Sequence, residues 1–396
     1  MKGRAFPECG DTEYQGKEQV SKEGEKWLRE ESLADSAMRR KTQRGGTMNQ
    51  ESTYGLNRRE FLSRTLIAGT GMYLGLGSDL GLAAAEPPPE TTTIRFAEVR
   101  SPCWVPQLMA EPLLRKEGFK DIQYSKHDKP WEGQNDILAG KIDFTADFIP
   151  NSIRQIEPGS QVVFVAGLHV GCYSLVASDR IRSVLDLKGK KVWAGGGGEF
   201  GEGPLIFFKV LIEYVGLDPD KDVQYVEVPG PEAVGMFKRG EIDAFMSFPP
   251  GPQQLRTAGI GHAILDTNVD RPWSQYFCCM ILGRRDFIKN NPIATRKVIR
   301  SILMANDIVS QDPMAAAQML VDRKLRKPDD KEFLAQAFRE IPYDKWRHYS
   351  PEDTIRYYAL RLREFGATKY SPNEIIEQNT DWSHLASLKD ELGMTW

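Results

Sequence analysis

Residues 138–148 read Leu-Ala-Gly-Lys-Ile-Asp-Phe-Thr-Ala-Asp-Phe, and residues 237–248 read Phe-Lys-Arg-Gly-Glu-Ile-Asp-Ala-Phe-Met-Ser-Phe. In both, a helical segment stops at a glycine (Gly140, Gly240), and Ile-Asp opens a strand two residues later. Glycine enters the left-handed conformation that ends a helix without a Cβ penalty. The apolar, aromatic run that follows suits a buried strand. The same helix–turn–strand unit, repeated 100 residues apart, predicts two similar α/β lobes. A cleft between such lobes is a common place to hold a small ligand.

The chain opens with material of another kind. Residues 1–47 carry ten Lys or Arg and nine Asp or Glu, little apolar content and no sustained periodicity. That is the composition of a disordered tail, or of a start assigned too early, with Met48 as the second candidate. Next come Asn57-Arg58-Arg59-Glu60-Phe61-Leu62, a weakly apolar run over 66–82, and Ala83-Ala84-Ala85. Paired arginines, a short h-region and a small-residue cleavage site are the parts of a twin-arginine export signal, placed at 48–85. The alternative is a membrane anchor. The run contains Gly69, Gly71, Gly75, Gly77, Gly81 and Asp79, and falls short of the ~20 apolar residues a spanning helix needs. The mature chain is then expected to start near Glu86 and to work in the periplasm.

A net charge of −3 with no basic block argues against nucleic acid as a partner. Four cysteines lie beyond the signal (Cys103, Cys172, Cys278, Cys279), and no pair has metal-finger spacing. An oxidising periplasm permits a disulfide among them, and the pairing stays open. The five histidines (127, 169, 262, 348, 384) are scattered, so neither a metal site nor a cofactor is expected. The glycine run 195–198 lacks the Lys-Ser/Thr of a phosphate loop, and no Gly-x-Ser-x-Gly or His-Glu-x-x-His occurs. Catalysis is not expected.

Strands are predicted over 94–99, 121–125, 143–148, 162–166, 173–177, 191–193, 223–228 and 242–247, with helices over 106–116, 131–139, 204–215 and 231–239. This alternation argues for α/β layers with largely parallel strands. The first lobe is read as 86–178, the second as 179–272, and 273–396 as a return to the first lobe plus C-terminal helices. Those helices are predicted over 292–309, 313–323, 330–338 and 351–365, with prolines at or near their starts. Hinges are expected near 177–179 and 273–276.

The order of parts resembles a known family. An export signal, an Ile-Asp strand, Asp-Leu-Lys-Gly-Lys-Lys-Val at 186–192, a glycine-rich strand end and a second Gly-Glu-Ile-Asp-Ala are similar to periplasmic substrate-binding proteins of ABC importers. The likeness runs over about 92–310 and is to the nitrate/sulfonate/taurine branch, which shares its NMT1/THI5-like domain with thiamine-pyrimidine synthases. It implies a two-lobed, type II periplasmic-binding-protein-like α/β fold with C-terminal helices. It also implies capture of a small molecule and delivery to a membrane permease driven by a separate ATPase. A monomer is expected.

In open α/β sheets, ligands sit beyond the carboxyl ends of the strands. That rule nominates Ser101, Cys103 and Trp104 after the first strand, and Trp131 and Glu132 after the second. It adds Asp147 and Phe148 at the end of the first repeat, Cys172 and Tyr173 before the lobe-crossing strand, and Ser247 and Phe248 at the end of the second repeat. In the second lobe the glycine run leads to Gly198, Phe200, Gly201 and Glu202. Backbone amides there can receive an anionic or carbonyl oxygen, although the glutamates repel an anion; a plain flexible loop is the other reading. The aromatic residues favour a planar or apolar ligand body, sulfonate-like or pyrimidine-like, over nitrate or bicarbonate. Two alternatives stand beside this one. A synthase-like enzyme would need a cysteine-rich cluster, of which Tyr276-Phe277-Cys278-Cys279-Met280 is the nearest approach, and an exported sensor would use the same cleft.

Overall fold

The computed structural model describes residues 86–98, 101–126, 133–195 and 203–391. Ten strands form two five-stranded sheets. The first contains β1 (Thr93–Ala97), β2 (Asp121–Ser125), β3 (Phe144–Phe148), β4 (Val162–Val170) and β10 (Phe277–Arg284), in the order β2-β1-β3-β10-β4. The second contains β5 (Ser174–Ala177), β6 (Lys191–Trp193), β7 (Gln224–Tyr225), β8 (Ala244–Ser247) and β9 (His262–Asp266), in the order β7-β6-β8-β5-β9. The sheets are topological copies of each other. In each, four strands run in one direction, and the fourth position is filled by a strand antiparallel to both neighbours (β10 in one, β5 in the other). The largely parallel strands expected are present, and the one reversed strand in each sheet makes the sheets mixed.

The repeated unit explains the copying. Gly140 and Gly240 both take φ near +70° (69° and 72°), ending helices Gly133–Leu138 and Gly230–Lys238. Asp143 accepts from the amide of Arg95 at 3.1 Å and donates its own amide to the Arg95 carbonyl at 2.8 Å. Asp243 repeats this against Lys191, at 3.0 and 2.7 Å. Each aspartate thus stitches the repeated strand to its parallel neighbour, β1 in the first lobe and β6 in the second. In the first lobe it does more. Its carboxylate, 2% exposed, also takes Arg95 Nη2 at 2.7 Å and Arg284 Nη2 at 2.9 Å, joining β1, β3 and β10.

β3 and β4 are buried at every residue, as strands covered on both faces are. Gly167, within β4, leaves the space that the Phe277 ring fills; a Cβ there would lie 2.2 Å from the ring. The chain crosses to the second sheet at 171–173, before β5, so the lobe boundary expected after Ser178 lies past the crossing. Gly171 takes φ 73° against Asn268, where a side chain would collide, and Cys172 follows at φ 97°. Tyr173 is bound there through its amide and carbonyl to Thr267 on the returning connection. The hinge expected at 177–179 begins at the last residue of β5, where Ala177 pairs with Ala244 and His262.

The C-terminal helices contact both lobes. Helix Pro351–Glu364 packs on helices Ile149–Gln155 and Gly203–Tyr214. Glu340, ending helix Lys331–Glu340, accepts from Gln253 Nε2 at 2.8 Å and pairs with Arg256, both on the second-lobe helix Gly251–Thr257. Among the described residues, no helix is long and apolar enough to cross a membrane.

Candidate functional site

The carboxyl ends of β3 and β8 converge with the crossing segment on one cleft. Its walls include Ser101, Cys103 and Trp104 after β1, Asp147 and Phe148 from β3, Cys172 and Tyr173 at the crossing, and Phe248 after β8. Asn151, Gly203, Pro204 and Cys279 complete the lining. Ser247 is buried at the end of β8 and is not among the lining residues; its Oγ donates to the Phe248 carbonyl at 3.2 Å. Trp131, Glu132, Gly198, Phe200, Gly201 and Glu202 lie outside the described residues.

Phe148 and Phe248 occupy the same position in the two repeats and meet through one residue. Tyr173 has its ring centroid 5.1 Å from Phe148 and 5.8 Å from Phe248. Phe207, on helix Gly203–Tyr214, closes the cluster at 5.1 Å from Tyr173 and 5.9 Å from Phe148. Tilted and edge-on rings at these separations attract one another beyond their buried area. In this conformation the cleft holds about 40 Å³, room for a water or two.

The polar groups are few. Burial pushes the Asp147 carboxyl up to about 6, against hydrogen bonds from Ser152 Oγ and the Phe148 amide, both at 2.8 Å. Among the described lining residues there is no Arg or Lys. The cleft floor is sulfur. Trp104 Nε1 donates to Cys279 Sγ at 3.2 Å, Cys103 Sγ lies 3.1 Å from Ser101 Oγ, and Cys172 Sγ lies 3.2 Å from Cys278 Sγ. Burial alone would raise the Cys103 thiol; hydrogen bonds with Cys172 and Cys279 and the charge of His169 outweigh it and hold the group well below the usual thiol range.

Sequence spacing pointed to no such gathering. Cys103, His169, Cys172, Cys278 and Cys279 come from three distant parts of the chain, and the predicted fourth strand stopped at Ala166, short of His169. Asn151 could have been found by the strand-end rule, because it sits in the first turn of the helix after β3. Phe207 carried no local signal beyond an apolar helix.

The fold can now be compared with solved structures. The periplasmic nitrate-binding protein NrtA of Synechocystis superposes with a TM-score of 0.57 at 17% identity, over 78% of this chain and 90% of that one. The alkanesulfonate-binding protein SsuA of Xanthomonas axonopodis, bound to MOPS, gives 0.51 at 16% identity, over 70% and 95%. The chain has the periplasmic-binding-protein fold. Within that fold, residues 186–322 match the model of the NMT1-like family. The bicarbonate-binding protein CmpA of Synechococcus elongatus is 27% identical over 96 residues, 24% of this chain and 21% of that protein. The match thus spans about a fifth of that relative's length. These matches make the chain similar to proteins named as binding nitrate, alkanesulfonate and bicarbonate, and the structures among them show its fold.

Proposed function

We propose that this protein is an exported solute-binding protein that captures a small organic molecule between its lobes and hands it to an ABC permease with a separate ATPase. The observation that carries the proposal is the convergence of two equivalent strand ends, Phe148 and Phe248, on Tyr173 in the segment that joins the lobes. A solute seated there touches both lobes and the crossing at once, so it binds the closed state better than the open one and draws the lobes together. The reading as a binding protein rather than an enzyme rests on relatives that are named as binding proteins. Residues 48–85 support twin-arginine export to the periplasm, and the protein is proposed to act as a monomer.

The lining favours one class of solute. Rings, thiols and a carboxyl of raised pKa form the described walls, which suits an uncharged or cationic molecule with an aromatic or heteroaromatic body, pyrimidine-like rather than sulfonate-like. Native mass spectrometry of chain recovered from the periplasm, before and after unfolding and refolding, tests this. A small added mass that is lost on refolding is the expected result. Phe248→Ala and Trp131→Ala should each weaken its rebinding while leaving the fold intact. Absence of any added mass, with no solute that raises the melting temperature of the refolded chain, would overturn the reading.

A further inference from the structure

We infer that the floor of the cleft is a binding site for a thiophilic divalent metal ion of the Zn²⁺ class, held by Cys103, His169 and Cys172. The donor atoms of these three residues all lie within 4.8 Å of one another, and all three side chains are buried. In a tetrahedral zinc site, metal–ligand distances of about 2.0–2.3 Å put donor atoms about 3.5–3.8 Å apart. The cluster therefore needs to contract by only about 1 Å to close around an ion.

The histidine is set up as a ligand. Its Nδ1 lies 3.2 Å from the Val170 carbonyl, so the ring proton belongs on Nδ1 and is donated to that oxygen. Nε2, fully buried and without a hydrogen bond of full geometry, lies beside the Cys103 thiol, and its lone pair serves a metal once that pair has given up its proton. A backbone carbonyl that holds one ring nitrogen and leaves the other for the metal is the usual outer support of a ligating histidine. Tyr343 packs on the same ring edge-on at 5.3 Å and fixes its orientation.

The charge and chemistry agree with the ion proposed. Two thiolates and a neutral imidazole cancel a divalent charge, which a buried site requires. Binding releases two protons to solvent, one from the Cys103–His169 pair and one from Cys172, with no change in oxidation state. Sulfur and imidazole donors select zinc-class ions over magnesium or calcium, which demand oxygen. Cys278 Sγ, 3.2 Å from Cys172 Sγ, stands at the remaining position. Cys103 and Cys172 also line the cleft, which gives the ion a route in. This site does not depend on which solute the cleft holds.

The test is titration of the full, reduced chain with Co²⁺. The expected result is one Co²⁺ per chain, with a thiolate-to-cobalt charge-transfer band in the near ultraviolet, strong visible bands of a tetrahedral ion, and displacement of both by Zn²⁺. Cys103→Ser, Cys172→Ser and His169→Asn should each lose stoichiometric binding, and His348→Ala should not. A readout that needs no variant is alkylation by iodoacetamide, which Zn²⁺ should slow at Cys103 and Cys172, as read by peptide mass spectrometry. Absence of the charge-transfer band, bands that survive in both serine variants, or alkylation unaffected by Zn²⁺ would each overturn the proposal. So would a Cys172–Cys278 disulfide that resists reduction and blocks uptake.

Discussion

The two lobes share a strand order and a repeated unit, yet they use that unit differently. In the second, Asp243 makes its backbone stitch to Lys191 at the lobe surface. In the first, Asp143 makes the same stitch and is also the buried junction of Arg95 and Arg284. The contrast continues at the other end of each strand. Asp147 is a buried carboxyl aimed at the cleft, and its counterpart is the neutral Ser247. Phe148 is packed against two rings, whereas Phe248 is half-buried. The first lobe therefore holds the more deeply buried half of the site, and the second contributes a more exposed wall.

This difference can be broken from either side. Asp143→Ala leaves two guanidinium groups without their shared partner and should cost about 3–5 kcal/mol of stability. Asp243→Ala removes a single hydrogen bond and should cost about 1 kcal/mol. Urea unfolding of the two variants checks the ratio, and equal losses would mean that the lobes are held in the same way. Phe148→Ala should cost about 3 kcal/mol as a core truncation. Phe248→Ala should cost about 1 kcal/mol and act mainly on solute capture.

Asp147 sharpens the comparison through pH. Its folded pKa is raised to about 6, so the folded state prefers the protonated carboxyl. The stability this contributes is complete below the ordinary carboxylate pKa and is lost as pH rises through about 6. Asp147→Asn removes the dependence, so the variant should gain on the parent between pH 4.5 and 7.5 by at most about 3 kcal/mol. A stability difference constant across that range would show that burial does not perturb this carboxyl. The smallest effect is expected at the clasp between lobes. Glu340→Ala loses its partners Gln253 and Arg256, weakens the closed state by about 0.5–1 kcal/mol, and should reduce solute affinity two- to fivefold.

What could be read from sequence was local. Gly140 and Gly240 mark helix ends, and Ile-Asp opens a strand, because those choices are made by neighbouring residues. Ser101, Cys103, Trp104, Asp147, Phe148 and Phe248, which line the cleft, followed from strand ends. Other features depended on distant partners. Gly167 reads as a stop but is the gap into which Phe277 packs, so the predicted strand ended at Ala166 and His169 was left out. An apolar run such as 173–177 looks the same in either sheet, which hid the crossing at 171–173. The short strand His262–Asp266, only partly buried, gave too little apolar pattern to be found. The sulfur cluster was invisible for the same reason, since strand pairing alone brings β4, β10 and the turn after β1 together.

The central claim is that the lobes close around a captured solute. Small-angle X-ray scattering of the refolded, solute-free chain, repeated after the solute is returned, tests it most directly. A larger radius of gyration is expected without solute, with contraction when it is restored. Identical scattering in the two states would contradict it.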